Sequence, residues 1–72
     1  MARQRVLSGR EVCRILESRG FAQVRRRGSH IVMQRMHDGR TTTVPVPDHR
    51  ELRTGTLMSI IRQAGLRRTD FE

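Results

Sequence analysis

The clearest hydrophobic pattern in the chain is a short amphipathic helix near its start. Residues 8–11 read Ser-Gly-Arg-Glu, the sequence of a capping box, in which the serine hydroxyl accepts from the glutamate amide and the glutamate carboxylate accepts from the serine amide. Apolar side chains then recur at helical spacing, at Val12, Ile15 and Leu16. Gly20 favours the left-handed conformation that commonly ends a helix. We therefore predict a helix from about Gly9 to Arg19.

The middle of the chain alternates apolar and polar residues around Asp38-Gly39, which is typical of a two-residue β-hairpin turn. With this turn, four apolar side chains share one face of the hairpin: Ile31, Met33, Val44 and Val46. The other face receives His30, Val32, Gln34 and Met36, opposite Pro47, Pro45, Thr43 and Thr41. A slip of one residue would mix the two sets. We predict one buried face and one mixed, solvated face, with His30 on the solvated one.

A further strand is expected before the hairpin. Phe21 to Arg27 lies between the predicted helix stop and Gly28, and we interpret it as the first strand of an antiparallel meander. Pro45 cannot donate a hydrogen bond to a β-ladder, so the third strand should lie at an edge of the sheet. The strands therefore form a three-stranded antiparallel sheet.

The rest of the chain predicts a second helix. After a loop over Pro47–Arg53, either Thr54 or Thr56 is expected to cap it, and Gly65 to end it. One face is apolar: Leu57, Ile60, Ile61 and Ala64. Phe71 should pack against the core. The predicted fold class is α+β, with the order α-β-β-β-α and both helices on one face of the sheet.

Length and composition indicate a small single-domain protein of a reducing compartment. With 72 residues we expect a single domain over 1–72, with an ordered core of about 6–71. The longest apolar run, Val44–Pro47, is far too short to span a membrane, and Met1–Gly9 lacks the apolar segment of a secretion signal. The single cysteine, Cys13, cannot form an internal disulfide, which fits a reducing compartment. We expect a cytoplasmic protein.

The charge of the chain changes this picture most. All 15 basic residues are arginine, and with seven acidic residues the net charge is +8. A guanidinium group can hold a phosphate through two parallel hydrogen bonds, so a nucleic-acid partner is favoured. The alternative is that the arginines reflect codon usage and a basic isoelectric point needed for solubility. There is no Trp or Tyr, and both Phe residues fall at expected core positions, so binding of single strands by base stacking is disfavoured.

The chain lacks the residues that most classes of enzyme need for catalysis. His30, His37, His49 and Cys13 show none of the paired spacings of zinc ligands, so we expect no metal and no cofactor. Ser29 and His30 would be neighbours on a strand and point to opposite faces, which argues against a serine nucleophile with its base.

Cleavage of RNA remains possible because RNA supplies its own nucleophile, the 2′-hydroxyl. The protein then has to supply only groups that move protons and cations that stabilise charge on phosphorus, and histidine serves in either proton role near neutral pH. Arg25–Arg27 directly precede Gly28-Ser29-His30, and Arg35 follows on the same strand. From the residues alone, His30 is either a proton-transfer group or an inert surface histidine. For His37 and His49 we favour no catalytic role.

Short motifs along almost the whole chain follow a fixed order. They are Gly20-Phe21, Gly28-Ser29-His30, Val46-Pro47-Asp48-His49, Gly55-Thr56-Leu57, Ile60-Ile61-Arg62-Gln63-Ala64-Gly65 and Phe71. In this ordered set, from about Val6 to Phe71, the chain resembles the HicA (YcfA-like) family of small bacterial toxins, which act as messenger-RNA interferases. The resemblance implies the fold of a double-stranded-RNA-binding domain. It also implies metal-free RNA cleavage and a cognate antitoxin of the HicB family that covers the active surface.

The resemblance also implies which residue is catalytic, and we add a hypothesis for the other groups of the site. The catalytic histidine of the family lies in the Gly-Ser-His tripeptide, so the resemblance implies that His30 is catalytic. Our hypothesis is that His30 acts as general base, or alternates between base and acid. The residues predicted to bind the messenger-RNA substrate are Arg25, Arg26, Arg27, Ser29 and Arg35. Many relatives carry lysines on the first strand and second helix, where this chain has only arginine. Two alternatives remain: a non-catalytic RNA-binding module of the same fold, and an adaptor that binds only another protein.

Overall fold

The computed structural model describes residues 6–72. Its elements are α1 (Gly9–Ser18), β1 (Ala22–Arg27), β2 (His30–His37), β3 (Arg40–Pro47), α2 (Thr54–Ala64) and a final 3-10 turn (Arg68–Phe71). This confirms the predicted α+β fold class and its α-β-β-β-α order. The expectations that residues 1–5 belong to the domain and carry no secretion signal lie outside the described residues.

Local hydrogen bonds explain where α1 begins and ends. The Ser8 hydroxyl accepts from the Glu11 amide at 3.1 Å, and the Ser8 amide donates to Glu11 Oε1 at 2.9 Å, so the predicted capping box is confirmed. The helix ends at Ser18, and Gly20 follows with a φ of +93°. This left-handed conformation is easily reached only by glycine, and it turns the chain into β1.

The predicted hairpin register is also confirmed. His30 pairs with Pro47 at one end and His37 pairs with Arg40 at the other. The two turn residues, Asp38-Gly39, have φ values of 53° and 73°, as expected for the type of turn whose twist matches that of the flanking strands. The sheet order is β1-β2-β3, so β3 is an edge strand, as Pro45 predicted.

The core lies between the sheet and the two helices. The buried residues of this cluster are Leu7, Val12, Cys13, Leu16, Phe21, Ile31, Met33, Val44, Val46, Leu52, Leu57, Ile60, Ile61, Ala64 and Phe71. They include all four apolar residues predicted on the inner face of the hairpin, the predicted apolar face of α2, and Phe71. Neither of the helices described in residues 6–72 has the length and apolar character needed to cross a membrane.

The start of α2 differs from the expectation, whereas its end agrees. The predicted threonine cap is wrong: Thr54 is already the first helical residue, and Arg53 occupies the cap position without a side-chain hydrogen bond to the helix. At the other end, Gly65 has a φ of 69° and its amide donates to Arg62 O, while the next amide donates to Ile61 O. These two bonds form a Schellman motif, which satisfies carbonyl groups at the helix end.

One residue of the outer sheet face is less solvated than predicted. Val32 is only 5% exposed, although it lies on the side of the sheet away from the helices. Its paired neighbours are Arg25 on β1 and Pro45 on β3, so the long arginine side chain and the proline ring flank the valine. The outer face is therefore polar at its rim and apolar at its centre.

Candidate active site on the open sheet face

The face of the sheet away from the helices, which we call the open face, carries a shallow depression of about 550 Å³. It is lined by Arg25, Arg27, Gly28, His30, Val32, Thr43 and Pro45. His30 is the first residue of β2 and directly follows a two-residue turn, Gly28-Ser29. Its side chain is exposed, as predicted.

Strand pairing explains why two guanidinium groups lie beside this imidazole. Arg27 pairs with His30, and Arg25 pairs with Val32. Because side chains alternate between the two faces of a strand, Arg25 and Arg27 both lie on the open face. In the described part of the chain, neither forms an ion pair with a carboxylate. Both guanidinium groups are therefore available to an anion bound in front of His30.

Arg26 lies on the opposite side of β1, although it stands between these two arginines in the sequence. Its Nη2 donates to Asp48 Oδ2 at 2.7 Å, and its Nε donates to the carbonyl oxygen of Gly28 at 3.2 Å. It also lines a separate groove between α1 and β1. The structure therefore does not bring Arg26 to the open face with His30, because alternate residues of a strand point in opposite directions.

Arg35 is likewise not next to His30. The two residues are separated by an odd number of positions on β2, which places them on opposite faces. Arg35 donates to Arg19 O at 3.2 Å and to Ala64 O at 3.4 Å, and its guanidinium carbon lies 4.8 Å from the centre of the Phe21 ring. It connects the ends of both helices to the sheet. This structural role was not foreseen from the sequence.

Ser29 lies in the β1–β2 turn and not on a strand, so the predicted alternation with His30 does not apply to it. Its carbonyl oxygen accepts a hydrogen bond of 2.7 Å from the amide of Asp48. In residues 6–72, no hydrogen bond joins the Ser29 hydroxyl to the imidazole of His30. The structure does not support a Ser-His nucleophile.

The other two histidines do not line the depression in front of His30. His37 lies at the far end of β2, where its Nε2 is 3.3 Å from Asp38 Oδ2 and both side chains are exposed. His49 lines a smaller depression of about 350 Å³ beside the start of α1, together with Arg10.

The remaining nucleophile, Cys13, is unreactive in this fold. Burial, together with the negative charges of Glu17 and Asp48, raises the pKa of its thiol to about 11. The thiol is therefore neutral near pH 7, whereas thiolate is the reactive form. Among residues 6–72, no three His, Cys, Asp or Glu side chains are grouped so that they could hold a metal ion.

Asp48 is a residue of this region that the sequence analysis did not single out. Its carboxylate accepts from Arg26 at 2.7 Å and from Arg10 at 3.4 Å. The hydrogen bond from Arg26 is the main cause that lowers the pKa of this carboxyl, Arg10 lowers it further, and desolvation acts in the opposite direction. The available sequence signal was its place in Val-Pro-Asp-His, one of the motifs of the family resemblance.

The fold and the open face together define a small, strongly cationic α+β domain that presents an imidazole among guanidinium groups. A family model described as HicA toxin of bacterial toxin-antitoxin matches residues 9–66 of the 72-residue chain. The chain therefore belongs to the HicA toxin family. Membership supports a toxin role and implies an antitoxin partner, in agreement with the resemblance seen in the sequence. A comparison with curated proteins found no significant match.

Proposed function

We propose that the protein is a metal-independent endoribonuclease that cleaves messenger RNA, the toxin of a type II toxin-antitoxin system, with His30 as its catalytic residue. The observation that supports this most strongly is the exposed position of His30 next to Arg25 and Arg27 on the open face, in a chain of the HicA family. A proton-transfer group and unpaired cations are what cleavage through the 2′-hydroxyl requires.

In the proposed reaction, His30 removes the proton from a ribose 2′-hydroxyl, and the 2′-oxygen then attacks the adjacent phosphorus. The bond from phosphorus to the 5′-oxygen breaks, and that oxygen takes up a proton, which the protonated imidazole of His30 can return. The products are a 2′,3′-cyclic phosphate and a 5′-hydroxyl. Arg25 and Arg27 stabilise the negative charge that grows on the phosphoryl oxygens, an effect that is strongest for charged groups already held in place.

The proposal retains only part of the predicted substrate-binding set. Arg25 and Arg27 remain as phosphate ligands because they line the depression in front of His30. Arg35 is left out because its guanidinium binds main-chain carbonyl groups on the other face. Ser29 stays a predicted substrate contact, since it lies in the turn directly before His30.

We propose that the antitoxin is a HicB-family protein and that acidic groups on it meet the open face. The net charge of +8 favours such a partner, as do Arg25 and Arg27, which form no ion pair with any carboxylate of residues 6–72. Charge complementarity of this kind speeds association and makes it sensitive to salt. A structure of the complex without acidic antitoxin groups at the open face would contradict this proposal. The proposed location is the cytoplasm, where messenger RNA is available and a lone thiol stays reduced.

The main alternative is an RNA-binding module of the same fold without catalytic activity. The exposed arginines favour it as much as they favour the nuclease, since both must bind phosphate. The two functions differ in what they require of His30, because only the nuclease needs its imidazole for proton transfer.

The deciding experiment compares wild type, His30→Ala and His37→Ala, each freed of antitoxin and incubated with RNA in the presence of a chelator. His37 is a matched control because it is an exposed histidine at the other end of the same strand. We expect wild type and His37→Ala to cleave, and His30→Ala to lose at least about 100-fold in rate while it keeps its RNA affinity. Intact RNA after incubation with the freed wild type would refute the nuclease proposal and favour the binding module.

A further inference from the structure

The segment that follows β3, Asp48-His49, lies between α1 and the turn that precedes His30. The Gly9 amide donates to the carbonyl oxygen of His49 at 2.9 Å. A Cβ atom at position 9 would overlap the carbonyl oxygen of Pro47, so only glycine allows this close approach. On the other side, the Asp48 amide donates to the carbonyl oxygen of Ser29 at 2.7 Å. The segment therefore connects the start of α1 to the turn.

A second connection between the segment and the turn runs through side chains. Arg26 bridges the two, because its Nη2 donates to Asp48 Oδ2 at 2.7 Å and its Nε donates to the Gly28 carbonyl oxygen at 3.2 Å. Both carbonyl oxygens of the Gly28-Ser29 turn are thus bound, one by the side chain of Arg26 and the other by the main chain of Asp48. Arg10 Nε, at 3.4 Å from Asp48 Oδ1, holds the same carboxylate from α1.

Apart from the pairing of Arg27 with His30 that closes it, the turn has few contacts of its own. Gly28 has a φ of +58°, and no atom of the described residues lies within 4 Å of a Cβ atom built at that position. Glycine has the widest conformational freedom of all residues, so a glycine turn without packing contacts depends on its hydrogen bonds for a defined shape. His30 follows directly, and its exposed side chain has little packing of its own. The orientation of the imidazole towards Arg25 and Arg27 is therefore sensitive to the shape of the turn.

We propose that Arg26 and Asp48 act as positioning residues that hold the Gly28-Ser29 turn and thereby orient His30 for RNA cleavage, an assignment that rests on the function proposed above. It moves Arg26 from the predicted substrate-binding set to a supporting one. Its Nε and Nη2 are already engaged with the protein, and it lies on the opposite side of β1 from His30.

The test compares Asp48→Ala with Asp70→Ala, since each removes one carboxylate that pairs with an arginine. Asp70 pairs with Arg19 at 2.8 Å, beyond the end of β1 that is remote from the turn, and its side chain is exposed to a similar extent (19% against 14%). We expect Asp48→Ala to lower kcat about 10-fold with little change in KM, because a misplaced catalytic group costs rate and leaves ground-state binding intact. Asp70→Ala should keep the kcat of wild type. Rates are measured well below the melting temperature of each variant.

A second variant separates positioning from RNA binding. Arg26→Lys keeps the positive charge, but an ammonium group cannot reproduce the two directed bonds to Asp48 and Gly28. We expect it to lower kcat by a similar factor and to leave RNA affinity and its salt dependence unchanged. Weaker RNA binding with an unchanged kcat would assign Arg26 to substrate binding and overturn the proposal.

An amide NMR spectrum distinguishes failure of this assignment from failure of the proposed function. In Asp48→Ala, we expect the amide signals of Gly28, Ser29 and His30 to shift and to exchange faster with solvent, and in Asp70→Ala we expect them to stay in place. An active wild type with an unchanged kcat in Asp48→Ala would overturn the positioning role alone. If the freed wild type does not cleave RNA, the nuclease proposal fails, and unshifted turn signals in Asp48→Ala would show that the positioning role fails as well.

Discussion

Arg35 provides the sharpest test of how the structure divides the arginines, because the sequence placed it with the phosphate ligands. In the structure it contacts Arg19 O, Ala64 O and the ring of Phe21 on the helix side of the sheet. Arg35→Met keeps most of the apolar stem and removes only the guanidinium group. We expect this substitution to destabilise the fold and to leave RNA binding unchanged.

The magnitude follows from the contacts that are lost. Hydrogen bonds to a charged group contribute about 1.5–3 kcal/mol each, and bonds as long as 3.2 and 3.4 Å belong at or below the low end of that range. The contact with the Phe21 ring adds about 0.5–1 kcal/mol. Arg35 Nε is buried without a hydrogen-bond partner among the described residues, and its removal offsets part of the loss. We therefore expect a net loss of about 2 kcal/mol, or roughly 8–16 °C in Tm for a domain of this size.

The assay is chemical denaturation followed by circular dichroism, together with an RNA-binding titration. Arg25→Ala is the matched control, since it removes an exposed arginine without an ion-pair partner among residues 6–72. We expect it to weaken RNA binding and to change the free energy of unfolding by less than about 0.5 kcal/mol. If Arg35→Met unfolds like wild type but binds RNA more weakly, Arg35 is a phosphate ligand and its structural role is refuted.

Three other predictions concern the open-face arginines, two glycines and Asp48. The RNA-binding constant should fall with salt concentration, and removing Arg25 or Arg27 should make the log–log slope less steep by about 0.7 for each lost phosphate contact with single-stranded RNA. An unchanged slope would exclude that arginine as a phosphate ligand. Gly9→Ala should destabilise by about 1–3 kcal/mol because its Cβ would overlap a main-chain oxygen, whereas Gly55→Ala, with open space around the new Cβ, should stabilise by about 0.4–1 kcal/mol; equal unfolding free energies would contradict this. Because arginine contacts lower the pKa of Asp48 below its ordinary value of 3.8, its carboxylate stabilises the fold above that pH, and the stabilisation disappears as the pH falls through the lowered pKa. The difference in Tm between wild type and Asp48→Asn should therefore shrink in acid, and a constant difference would show that the charge plays no part.

Features that depend on neighbouring residues could be predicted from the sequence. The capping box at Ser8–Glu11 and the turn at Asp38-Gly39 are short-range patterns, and each defines the conformation of the residues next to it. The hairpin register followed from the turn, and the register in turn placed His30 on the open face. The prediction of a threonine cap was wrong, although it also concerned adjacent residues. The apolar pattern of α2 does not show whether the helix begins at Thr54 or one residue later, and in the structure Arg53 is the cap.

The candidate site was less predictable, since it depends on which face each side chain occupies. Arg25, Arg26 and Arg27 look equivalent in the sequence, but the pairing of Arg27 with His30 places Arg25 and Arg27 on the open face and Arg26 on the other. Just before them, between Gln23 and Arg25, the register of β1 shifts. The sequence pattern did not reveal this shift. A β-bulge changes which residues face each way, and it depends on both strands together.

By itself, then, the sequence determined the order of the elements, the hairpin register and the exposed position of His30, because each follows from patterns of a few adjacent residues. Alternation along β2 by itself places Arg35 on the face opposite His30, and only the tertiary structure decided which groups of the protein Arg26 and Arg35 bind. The pairing of Arg26 with Asp48 spans 22 residues, and the contact of Arg35 with Ala64 O spans 29. Contacts at such separations depend on how the elements pack, which no local pattern of residues encodes.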